Sequence, residues 1–141
     1  MSIIGKVLAA EPLYLVAAAT VDDSANSDDI IDTNGYGNEF VIVQTVKFTD
    51  GIDPTIACKI QESHDGSTWV DIAGAEFPLL TFGVWQSSLL VRPTRRYFRH
   101  TRVVAGTSPM INLSVIVIPV SEPRRPQVVL HLPPGTHAEI R

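Results

Sequence analysis

Short apolar runs of two-residue period, cut at close intervals by glycine, proline, asparagine or aspartate, confine this chain to β structure. No stretch of a dozen residues keeps apolar side chains at helical spacing without a glycine, a proline or a β-branched cluster breaking it. The pattern predicts strands at Leu13–Val21, Ile30–Asp32, Glu39–Phe48, Thr55–Glu62, Thr68–Ile72, Trp85–Val91, Arg96–Ala105, Pro109–Ile118 and Gln127–Leu132. Between them fall Asn34-Gly35, Asp50-Gly51, Asp65-Gly66, Ala73-Gly74, Ala105-Gly106 and Ser108-Pro109, pairs suited to the positive φ of tight turns. Strands at this spacing point to a sandwich or barrel.

Alternation assigns faces within several of these runs. Ile56, Cys58 and Ile60 point one way, Lys59 and Gln61 the other. Ile111, Leu113, Val115 and Val117 share a face opposite Asn112 and Ser114. Ile116 and Ile118 make the end of that strand apolar on both sides, as in a strand covered twice. Phe40, Ile42, Val46 and Phe48 form a second core-facing row, interrupted by Gln44. The clearest hairpin is Ile60–Ile72, where Asp65-Gly66 joins two alternating strands.

With 141 residues, the chain fits one domain. Residues 1–118 are expected to form the sandwich, with 1–12 as an N-terminal arm. Residues 119–141 hold five of the ten prolines and are expected to form an extended C-terminal arm with one strand-like segment. Glu11 and Pro12 break the first apolar run too early for a signal core, and Leu13–Ala19 is far short of the roughly 20 residues of a membrane span. The expected site of synthesis is therefore the cytoplasm, without a membrane partner. A single cysteine, Cys58, excludes an intrachain disulfide.

The net charge of -4 conceals a division. Residues 1–91 carry thirteen acids against three lysines, and residues 92–141 carry eight arginines against two glutamates. Arg92, Arg95, Arg96, Arg99 and Arg102 cluster at the entry to one strand, and Arg124 and Arg125 lie in the arm. Acidic overall charge and the absence of lysine from the cluster argue against nucleic acid. Arginine is the cation best suited to protein interfaces and carboxylate pairs, within the chain or between chains. The expected partner-binding residues are these seven arginines with Val128, Val129, Leu130 and Leu132, an apolar segment able to extend a neighbour's sheet.

Catalytic chemistry finds no foothold. His64, His100, His131 and His137 lack metal-ligand spacing among themselves or with Cys58, so they read as solvated or hydrogen-bonded side chains. Cys58 reads as a core thiol with no base beside it. Asp22, Asp23, Asp28, Asp29 and Asp32 do not match a calcium loop and read as a solvated acidic loop. No cofactor, metal or catalytic residue is expected. Trp69, Trp85 and Tyr36 could stack against a sugar, although core packing accounts for the tryptophans as well.

Three segments in order carry a resemblance: Lys59–Ala75 with its Gln-x-Ser-x-Asp-Gly-Ser-x-Trp-x-Asp hairpin, Arg96-Tyr-Phe-Arg99, and Val103–Pro109 followed by Val115-Ile-Val-Ile118. Together they resemble capsid decoration or cement proteins of tailed bacteriophages. The likeness covers roughly residues 38–118. It implies an all-β protein, a single antiparallel β-sandwich of jelly-roll-like kind. It would sit on the outer capsid surface, bind the major capsid protein and other copies of itself as a dimer or trimer, and have no enzymatic activity. A tail, connector or baseplate protein, or a carbohydrate- or host-surface-binding module, could use the same sandwich.

Overall fold

A computed structural model describes residues 13–120, and these contain strands and no helix. The strands are β1 (Leu13–Val21), β2 (Ala25–Asn26), β3 (Ile31–Asp32), β4 (Phe40–Ser63), β5 (Val70–Glu76), β6 (Val84–Val91) and β7 (Tyr97–Pro119). All pairings are antiparallel. The two long strands β4 and β7 pair from Phe40 opposite Pro119 to Ser63 opposite Tyr97. This ribbon is the spine on which every other strand is hung.

Halfway along, the ribbon bends. Register shifts fall between Phe48 and Thr55 of β4, opposite Ile111 to Ala105 of β7. Four residues here adopt positive φ: Gly51, Asp53, Gly106 and Ser108. Gly106 crosses so close to the other strand that a Cβ on it would lie 2.7 Å from the Asp53 carbonyl oxygen and from Pro54 Cα. Only glycine fits that crossing.

The bend folds one continuous sheet into two facing layers. Layer A contains β1, the second half of β7, the first half of β4, and β6. Layer B contains β2 and β3, the first half of β7, the second half of β4, and β5. Contacts between distant parts of the ribbon prove the stacking. The Phe40 ring of layer A meets the Phe98 ring of layer B edge-on at 5.1 Å. Across the same gap Gln44 and His100 share a hydrogen bond of 2.8 Å.

Even-numbered side chains of β4 face this core on both sides of the bend: Phe40, Ile42, Val46 and Phe48, then Ile56, Cys58 and Ile60. Along β7 the buried set switches from Phe98 and His100 to Ile111, Leu113, Val115 and Val117. That switch is the signature of a register shift, which moves side chains to the opposite face. Each large apolar side chain buried here contributes about 2 kcal/mol.

The expected antiparallel β-sandwich is thus what forms, and Leu13–Val21 is a strand with those bounds. Several boundaries differ. Glu39–Phe48 and Thr55–Glu62 are one strand, as are Arg96–Ala105 and Pro109–Ile118, because their glycines bend a continuing strand and do not reverse it. Ala73-Gly74 lies within β5. Ile118 is 48% exposed, so its outward face is uncovered among the described residues. The expected arms at 1–12 and 119–141 and the Gln127–Leu132 strand lie outside the described residues, apart from Pro119, which ends β7, and Val120.

Candidate interaction surfaces

The acidic and basic halves of the chain meet within the sandwich. Arg92 Nε donates to Glu39 at 2.7 Å, and Arg96 grips Asp32 through two bonds of 2.9 Å. Arg102 donates to the Asp23 carbonyl at 2.8 Å and its carboxylate at 3.1 Å, while Arg95 lies 3.9 Å from Glu62. Glu62 is buried and accepts from the backbone amides of Thr94 and Arg95, which fixes the turn entering β7. Hydrogen bonding to Arg96 holds the Asp32 carboxyl below the usual carboxylate range. These four arginines each pair with an acid of residues 1–91. Exposed pairs contribute little individually, but Arg96 with Asp32 and Arg102 with Asp23 tie the acidic loop around β2 and β3 to β7.

Arg99 differs from the other four. Its Nε and Nη2 donate to the neutral Gln61 Oε1 at 3.0 and 2.9 Å, and its guanidinium lies 4.3 Å from the Trp69 ring centre. Partial burial pushes its pKa down. Gln61 Nε2 in turn donates to Asp71 at 2.9 Å, and Lys59 donates to the other Asp71 oxygen at 2.9 Å. The outer face of layer B therefore carries a row from Trp69 through Arg99, Gln61 and Asp71 to Lys59. Tyr97 sits at its end with Arg96 over its ring at 5.1 Å.

The hairpin that presents Trp69 is held by Asp65. Its carboxylate accepts from the amides of Ser67 and Thr68 at 2.9 and 3.0 Å and from the Ser63 hydroxyl at 3.0 Å. Those donors lower the Asp65 pKa to about 2. The Asp-Gly turn read from sequence is thus a locked platform.

Layer A presents the opposite chemistry. Val41 lies opposite both Ile118 and Leu90, and Ile116 lies opposite both Val43 and Tyr14. Directly opposed residues share a face, so these side chains form one apolar patch turned away from the core. Tyr14, Leu90, Ile118 and the adjoining Val120 are each at least two-fifths exposed. Leu13 and Val120 also lie at this end, since Leu13 pairs with Val117 and the Val120 amide donates to the Glu39 carbonyl. Sequence reasoning saw Ile116 and Ile118 as the two-sided apolar end of a covered strand and did not join them to Tyr14, Val41 and Leu90. The signal of the patch was present in Phe40–Val43 and Val115–Ile118, where consecutive apolar residues supply both faces.

No arrangement with catalytic geometry forms among the described residues. Burial pushes the Cys58 thiol up to about 12, leaving it protonated and inert. No group of three His, Cys, Asp or Glu side chains comes together to hold a metal among the described residues. His100 is buried, and His64 is exposed at the hairpin tip. Trp85 lies on the core-facing side of β6 at its edge, its indole donating to the Thr81 carbonyl at 2.8 Å, and Tyr36 packs edge-on against Phe40. Arg124, Arg125, Val128, Val129, Leu130 and Leu132 lie outside the described residues.

No protein-family model and no curated protein matches the chain. Among solved structures, the chain is similar to TmCBM61 in complex with beta-1,4-galactotriose (14% identity, 73% of this chain and 70% of that one, TM-score 0.44). It is also similar to a family 16 carbohydrate-binding module (10% identity, 72% and 75%, TM-score 0.40). A third likeness is to a Bacillus endospore appendage protein of disulfide-linked pili (15% identity, 80% and 92%, TM-score 0.38). Likenesses this distant carry no ligand or partner across to this chain.

Proposed function

We propose that the chain is a non-catalytic binding sandwich with a structural role: a virion protein on the outside of a tailed-phage capsid that binds the major capsid protein and other copies of itself. The observation that carries the reading is the apolar outer face of layer A, where Tyr14, Val41, Leu90, Ile116 and Ile118 stand together on one sheet. A contiguous exposed apolar patch marks a docking surface. Added contacts that exist only in the assembled shell stabilise that shell by mass action. The ordered resemblance to cement proteins supplies the kind of partner.

Purified protein should bind expanded capsids that lack it and raise their disruption temperature. Tyr14→Ser with Ile118→Asp should abolish binding while leaving the thermal unfolding of the isolated protein nearly unchanged, since both side chains point outward. Absence of binding by the unaltered protein would remove the capsid reading.

A second reading, a carbohydrate-binding module, is favoured by the row on layer B, where Trp69 and Tyr97, each with an arginine over one ring face, lie in line with the hydrogen-bonding groups of Gln61, Asp71 and Lys59. Apolar stacking beside a few fixed polar groups is how small ligands are oriented. On a glycan array this reading expects specific binding that Trp69→Ala abolishes. A blank array would dispose of it.

A further inference from the structure

Sheet edges expose unpaired backbone donors and acceptors, and proteins usually blunt them with bulges, charges, proline or brevity. Three of the edges here are protected in these ways. Two register shifts interrupt β1, β5 carries Asp71 and Glu76 with a shift of its own, and β2 and β3 have two residues each. β6 has none of these devices. Its eight residues, Val-Trp-Gln-Ser-Ser-Leu-Leu-Val, include no charge, proline or glycine. They pair with β4 in unbroken register from Val84 opposite Lys47 to Val91 opposite Phe40, and with no other strand among the described residues. This strand also holds Val84, Trp85 and Leu90 at 71%, 40% and 50% exposure.

We propose that the β6 edge is a homodimer interface, in which β6 pairs antiparallel with β6 of a second copy about a two-fold axis through Ser87. The sequence of the strand selects this partner and register. An antiparallel pair must place outward residues opposite outward residues. With Ser87 on the axis, Val84 meets Leu90 and Gln86 meets Ser88 on the outer face, while Trp85 meets Leu89 on the core side. Each apolar residue from 84 to 90 then faces an apolar residue, and each polar one a polar one. Since the strand is uncharged, the two-fold brings no like charges together. Trp85 is already fixed by its bond to Thr81 and stacked so close to Gly83 that a Cβ there would be 3.1 Å from its Nε1, so little ordering remains for association. Pairing joins the two layer A sheets into one continuous sheet and aligns their apolar outer faces. The interface gives a geometry to the self-association within the proposed function, and its test needs no capsid, so either can fail alone.

Sedimentation of the full chain should report twice the chain mass at micromolar concentration. Gln86→Lys with Ser88→Lys, both exposed positions, sets lysine opposite lysine twice and should return the monomer mass with an unchanged circular dichroism spectrum. Ser87→Cys should form an intermolecular disulfide under mild oxidation, because cross-strand neighbours on an antiparallel two-fold fall within disulfide range and the only other thiol, Cys58, is buried. A monomeric unaltered chain would overturn the proposal. So would a dimer indifferent to the lysines and uncrosslinked at Ser87, including one that disappears on deleting 121–141.

Discussion

Gly106→Ala is expected to cost about 3 kcal/mol or more, enough to lower the melting temperature by roughly 10 °C in a domain of this size. The added methyl group would stand 2.7 Å from the carbonyl oxygen of Asp53 and from Pro54 Cα, both backbone atoms on the partner strand. Neither can swing aside as a side-chain tip could. The residue also holds φ at +111°, where any side chain is strained. Gly74→Ala is the control. Gly74 has φ at +80° but nothing within 4 Å of the added carbon, so the substitution isolates the conformational cost of about 1 kcal/mol. Equal thermal shifts for the two variants would show that the bend is not the close crossing described.

The second large effect is a loss of stability in mild acid. His100 is buried between the layers, and desolvation, assisted by the charge of Arg102, lowers its pKa from 6.5 to about 3. Its Nε2 donates to Gln44 Oε1, leaving His100 Nδ1 and Gln44 Nε2 without partners among the described residues. Between these two pKa values the unfolded chain takes up a proton that the folded chain refuses. The contribution is therefore complete above about pH 6.5 and lost progressively as pH falls towards 3, at a limiting slope of ~1.4 kcal/mol per pH unit. Urea unfolding should reveal a loss of about 2 kcal/mol between pH 7.5 and pH 5, a window above the range in which carboxylates titrate. Replacing both partners, Gln44→Leu with His100→Leu, should flatten that slope with little loss at pH 7, because an apolar pair leaves no polar group unsatisfied. A slope that survives in the double variant would place its origin elsewhere.

The sequence carried local information well and long-range information poorly. Leu13–Val21 was legible because Pro12 and Asp22 bracket an apolar run. The Asp65-Gly66 hairpin was legible because its Asp and Ser63 satisfy the turn's own backbone. Asp50-Gly51 and Ala105-Gly106 misled because positive φ is common to a reversing turn and to a kink in a continuing strand. Which one forms depends on whether the flanking residues pair with each other or with a distant strand. The same limit applied to the surfaces. Arg92, Arg95, Arg96 and Arg102 were visible as a cluster, but their acids lie as far away as Asp23. Gln44 looked like an interruption of a core strand until the fold brought His100 to it. The lack of charge on Val84–Val91 was plain throughout. Its meaning depended on knowing that β6 lies at an edge.

Because β4 and β7 each serve both layers, the sandwich has no removable half. Neither layer has a pair of central strands of its own. Detaching layer B would sever the strands that build layer A, so a stable half-folded species has nothing to rest on. The ribbon also joins residues remote in the chain, with Phe40 opposite Pro119 at one end. Even the nearer end joins Ser63 to Tyr97, so folding must close a long loop before the ribbon can zip, which makes its assembly slow. Once closed, the two shared strands transmit any load on one face directly to the other through covalent backbone, as a hoop does in a barrel wall.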